Sequence, residues 1–229
     1  MRAACTSLAP VLIALAACNA PGGNNPDGGG GGGGGHDGSN GSGSDAAIMP
    51  TEAIKITVEP ANDHAAEITN AIQTATTSVY MTMYQIDNTD VTAALVAAKG
   101  RGLDVQAILD SSSTCKSWNT PAYNSLKSGG VNVVWSNPTF TYTHEKTLII
   151  DAKSAWIMTM NLNESPPDSN REYLALDTDA ADVTEATAVF KADHAMQTIT
   201  PSGDLVVADT NARSKLVALI NEATTTLDV

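Results

Sequence analysis

His144 and Lys146 stand two residues apart in the stretch "THEKTLIID", and Asp151 follows five residues later. Side chains at i and i+2 of an extended chain leave it on the same face, so an imidazole and an ammonium are expected to share one point in space. The apolar stretch that follows repeats the spacing with Thr159 and Asn161 in "IMTMNLN". An imidazole with a near-neutral pKa can attack an electrophile or move a proton, while ammonium, hydroxyl and carboxamide groups donate to anionic oxygens. Gathered by a hairpin, these groups suit a phosphodiester. Asp151 lies an odd number of positions from His144, which predicts that it faces away or sits in the turn.

The elements that must position these residues are legible as a rhythm. "IKITVEP" reads as a strand, residues 63–76 as a helix, "SVYMTMYQI" as a strand, and residues 89–99 as a helix stopped by Gly100 and Gly102. "LDVQAILD" then reads as a strand, residues 121–128 as a helix ended by Gly129 and Gly130, and "VNVVW" as a strand. Such alternation predicts an α/β fold with a largely parallel or mixed sheet covered by helices on both faces. After Thr143 the pattern changes to two apolar strands, residues 143–150 and 154–160, joined by "DAKS". A third strand over 172–177 precedes a helix over 180–194.

His144-x-Lys146 followed by Asp151 resembles the HKD motif of the phospholipase D superfamily. In that family a Gly-Ser-x-Asn segment follows, and then an acidic residue about ten positions on. Here the matching residues are Met158-Thr159-Met160-Asn161 and then Glu172. Thr159 keeps the hydroxyl, whereas Met158 puts a bulky side chain where the family has glycine. "NPTFTYTH" and "VQAILD" also look like bacterial members, and the resemblance covers residues 54–229. It implies an α-β-α sandwich with a mixed sheet. It also implies roles. His144 would be the nucleophile that forms a phosphohistidine, or the general acid. Lys146 and Asn161 would bind phosphate with help from Thr159, and Glu172 would hold the second imidazole nitrogen. Asp151 would organise the turn. Neither a metal nor another cofactor is called for. Phe140 and Tyr142 either line the mouth of the site or pack, His64 and His194 read as surface residues, Trp156 as core and Cys115 as a bystander.

Enzymes of the family bring two such motifs together, one His attacking and the other protonating. This chain has one. The tail, residues 215–229, aligns without gaps on residues 67–81, and "DLVVAD" stands where "ITVEPA" stood. The chain therefore reads as one complete copy, residues 48–200, and the start of a second, residues 201–229. A second motif would come from a missing segment or from a homodimer partner.

Charge narrows the substrate. Twelve Lys+Arg against 25 Asp+Glu give a formal charge of −13, which argues against specific nucleic-acid binding, since that needs a basic face. The front of the chain points to a membrane instead. Arg2 precedes an apolar run too short to span a bilayer, and Leu15-Ala16-Ala17-Cys18 resembles the lipobox of bacterial lipoproteins. That resemblance implies a signal peptide over 1–17, lipidation of Cys18, and secretion to a membrane-anchored place in the cell envelope. Residues 18–47, rich in Gly, Asn and Ser, read as a flexible tether. The expected activity is hydrolysis or transfer of phospholipid head groups. The alternatives are a nuclease of the same superfamily, or a half-domain that binds phosphate without turnover.

Overall fold

A computed structural model of the chain describes residues 53–59, 65–164 and 170–228. The expected signal peptide, Cys18, the tether, His36 and His64 lie outside them. Seven strands form one mixed sheet: β1 (Ile54–Glu59), β2 (Ser78–Met83), β3 (Asp104–Leu109), β4 (Asn132–Trp135), β5 (Lys146–Ile150), β6 (Ser154–Met158) and β7 (Glu172–Asp177). Their order is β1-β7-β6-β5-β2-β3-β4. The β2–β3 and β3–β4 pairs are parallel, and β5, β6, β7 and β1 add antiparallel neighbours.

Helices α1 (Ala66–Thr74), α2 (Thr89–Gly100) and α3 (Lys116–Ser128) bury Ile68, Ile72, Leu95 and Leu126 against one face. Helix α4 (Ala180–His194) buries Val183, Ala186 and Phe190 against the other. The central strands β2 and β5 are buried along their whole length, which is why they read as apolar runs rather than alternating ones. Polar caps fix where helices start. Asn88 accepts from the Val91 amide at α2, and Asp179 accepts from Ala181 and Asp182 at α4. Just past α2 and α3, Gly102 and Gly130 take positive φ of 91° and 81°, a conformation that costs glycine least.

Three elements differ from the sequence reading. Helix α3 begins at Lys116, so Pro121 lies inside it rather than at its start. The proline removes one helical donor, and the Thr120 hydroxyl bonds back to the Lys116 carbonyl in the preceding turn. Residues 204–209, expected to repeat the first strand, form no strand, although Leu205 and Val206 are buried. The expected repeat helix does form, as α5 (Ala212–Glu222), but none of its residues is buried. The strand expected after it is likewise not formed among the described residues.

Candidate active site

Lys146 opens β5 and pairs with Met83, the last residue of β2. The site thus forms at the carboxyl ends of the parallel strands, where α/β sheets commonly bind ligands. His144 lies two residues before the strand begins, on an extended lead-in, and is exposed. The two side chains meet because the Lys146 stem, only 3 % exposed, turns back on the loop. Its Nζ sits 2.8 Å from the His144 carbonyl oxygen and 3.2 Å from both Nδ1 and Nε2. An ammonium equidistant from both nitrogens cannot lie along either lone pair. The contact is therefore one of charge with the ring as a whole rather than a hydrogen bond to one nitrogen. Desolvation lowers the Lys146 pKa to about 8, against the raising influence of the charges of Glu172, Cys115, Asp110 and Glu145.

Tyr84, the residue after β2, supplies a floor that sequence reasoning missed. Its ring lies 4.4 Å from the imidazole at 58°, and the Lys146 ammonium stands 5.1 Å from its centroid. Tyr142 meets it edge-on at 6.2 Å. Burial, and then the neighbouring Cys115 thiol, push the Tyr84 hydroxyl above its ordinary range, so it stays neutral. The segment is pinned from α3. Fully buried Asn119 donates to the carbonyls of Tyr84 (2.8 Å) and Asp110 (3.1 Å) and accepts from the Ile86 amide (3.0 Å). Tyr84 follows Met83, so only strand register places it at Lys146.

Asn161 and Thr159 lie beyond the end of β6, not on it. Asn161 donates to Gln85 Oε1 at 3.4 Å, as does Asn163. Gln85 Nε2 reaches the Cys115 thiol at 3.5 Å. Cys115 is thus not a bystander but part of the buried floor, beside Tyr84 and ahead of α3. Thr159 donates its hydroxyl to Glu172 and accepts from the Tyr173 amide at 2.9 Å. Asn170 reaches the other Glu172 oxygen at 3.5 Å. Both Glu172 oxygens are therefore engaged locally, and among neighbouring charges Glu172 is the one that most favours a protonated Lys146. Met158 is buried in the core and pairs with Leu174, so it does not fill the site.

Asp151 sits in the β5–β6 turn with φ of 56°. It accepts from the amides of Thr76, Thr77 and Ser78 at 2.7–3.1 Å and from the hydroxyls of Thr76 and Thr77 at 2.6 and 3.0 Å. Burial alone would raise its pKa, but these bonds outweigh it and hold the carboxyl well below the usual range. It ties the α1–β2 loop to the turn and lies far along β5 from Lys146. Of the remaining sequence candidates, Trp156 is core, its indole donating to Glu67, and His194 packs on Phe190.

The family described as cardiolipin synthase, PLD-like domain, matches residues 68–194, more than half of the chain. Among solved structures, the phospholipase D family member Nuc from Salmonella typhimurium superimposes with a TM-score of 0.58 at 21% identity. That match covers 65% of this chain and 98% of Nuc. NucT from Helicobacter pylori gives 0.50 at 19% identity, covering 61% and 95%. Polyphosphate kinase from Porphyromonas gingivalis gives 0.60 at 18%, covering 73% of this chain and 30% of the kinase. No curated protein sequence matches the chain.

Proposed function

The chain belongs to the cardiolipin synthase, PLD-like domain family, and from that premise we propose that it is a phosphodiesterase acting on phospholipid head groups. The observation that carries this reading is the buried Lys146 ammonium set against the exposed His144 imidazole over the Tyr84 ring. A phosphate arriving at the exposed ring meets a cation that is already desolvated, so attraction between them is weakly screened. An imidazole nitrogen of His144 forms a bond to phosphorus as the bond to the departing head-group alcohol breaks. The alcohol takes a proton from a second imidazolium, supplied by a second motif, either on a further segment or as His144 of another copy of the chain. Water then gives that imidazole a proton and attacks phosphorus, and the N–P bond breaks. An alcohol in place of water transfers the phosphatidyl group.

Anchoring through a lipidated Cys18 would hold the enzyme on the cell-envelope membrane beside such substrates. A nuclease is the second reading, since Nuc and NucT share the fold; the formal charge of −13 weighs against it. The test is release of choline from phosphatidylcholine, beside cleavage of single-stranded DNA, by the wild type and by His144→Ala. Choline release lost in the variant supports the proposal. DNA cleavage without choline release would replace it with the nuclease, and neither activity would leave phosphate binding without turnover.

A further inference from the structure

The acidic residues of this chain are unevenly spread. Residues 111–143 contain no Asp or Glu, in a protein that has 25, yet they hold Lys116, Lys127 and five of its ten aromatic residues. This stretch carries the rim of the site at its two ends, residues 111–118 and 136–143. It leaves the sheet after β3, runs through α3 and β4, and returns to His144. Its two loops are joined at the carboxyl ends of the strands. The Ser111 amide donates to the Ser136 hydroxyl (3.0 Å), and the Thr143 amide donates to Asp110 (2.7 Å). Asp110 itself is buried and adds no acid to this surface.

Three large rings on this rim face water. Trp118 in the first turn of α3 is 49 % exposed, Phe140 45 % and Tyr142 51 %. Lys116, two residues before Trp118, lies 5.4 Å from the Trp135 ring centroid, so the local cation is held against an aromatic ring. Half-exposed rings beside a lysine are the composition of a surface that settles at the water–lipid boundary, where aromatic bodies enter the head-group layer and cations meet phosphate. We infer that this acid-free aromatic rim is the surface through which the domain sits on a phospholipid bilayer, with His144 facing the head groups.

Charge decides between a bilayer and a nucleic acid. A polyanionic strand would meet a protein of formal charge −13 and find one lysine, Lys116, on this rim, whereas affinity for nucleic acid comes largely from Lys and Arg that neutralise phosphates. A zwitterionic bilayer carries no net charge, so the repulsion vanishes while the aromatic contribution remains. The inference rests on the proposed phospholipid activity and specifies how the substrate is approached.

The test uses the full-length chain carrying Cys18→Ser, so that no anchor contributes, with phosphatidylcholine vesicles and with oligothymidylate. Replacing Trp118 and Phe140 together by Ala is expected to lower vesicle partitioning about a hundredfold, roughly tenfold for each half-exposed ring removed. Turnover of monomeric short-chain phosphatidylcholine should fall far less than vesicle partitioning, since that substrate reaches His144 and Lys146 without a bilayer. Unchanged partitioning in the double variant, or a loss of oligothymidylate binding instead, overturns the inference. Vesicle binding that depends on both rings in a protein that cleaves no phospholipid would sink the proposed function and leave the surface standing.

Discussion

The Lys146 ammonium lies 3.2 Å from both ring nitrogens of His144 and over the Tyr84 ring, while its stem is buried. Burial holds its pKa down at about 8. Phosphate needs the protonated form, so kcat/KM should fall as pH rises through about 8 in the free enzyme. Lys146→Arg keeps its charge to far higher pH, so whatever activity it retains should lose this alkaline limb. The effect on stability has the opposite sense. The folded pKa lies below the unfolded one, so between about 8 and about 10.4 the unfolded chain holds the extra proton and stability rises with pH. A pH–rate profile with a thermal melt at each pH tests both.

Tyr84 acts through its ring. Tyr84→Phe should change kcat/KM by less than about threefold, and Tyr84→Ala should lower it by about 10- to 100-fold by freeing the imidazole and hydrating the ammonium. Steady-state kinetics on both variants decide, since equal losses would assign the role to the hydroxyl.

Gln85 should position Asn161. Its Oε1 accepts from both Asn161 and Asn163, and its backbone carbonyl accepts from the Leu162 amide. Gln85→Met is expected to lower kcat/KM about tenfold in the wild type and scarcely at all in Asn161→Ala. Additive losses in that double-mutant cycle would contradict the coupling.

Asp151 holds the fold, not the substrate. Asp151→Ala leaves the amides of Thr76, Thr77 and Ser78 without their shared acceptor, and should cost roughly 1–3 kcal/mol of stability. Because the carboxyl is held below its unfolded pKa near 3.9, its contribution is complete above that value and is lost as pH falls below it. The gap in Tm between wild type and variant should therefore close in acid, as calorimetry would show.

The motif was legible because its residues are neighbours in sequence: His144, Lys146 and Asp151 need only a period of two and a turn. The helix over 180–194 was equally plain, as were the glycines that close α2 and α3, Gly102 and Gly130. What sequence could not show was made through space. Tyr84 and Gln85 sit at the end of β2 and meet the site only because β2 pairs with β5 in one register. Cys115 looked incidental because nothing local marks its place under Lys146 and Tyr84. The expected repeat of the first strand at 204–209 failed for a related reason. Two similar stretches can share a pattern while only one, β1, has a neighbouring strand, β7, to bond to.

The central claim is that His144 makes a covalent bond to phosphorus. Wild-type protein mixed with short-chain phosphatidylcholine, quenched within milliseconds in alkali and analysed by intact and peptide mass should carry one phosphatidyl group on the peptide containing His144. The His144→Ala variant should carry none. Rapid turnover with no adduct at any quench time, or an adduct that persists in His144→Ala, would contradict the account.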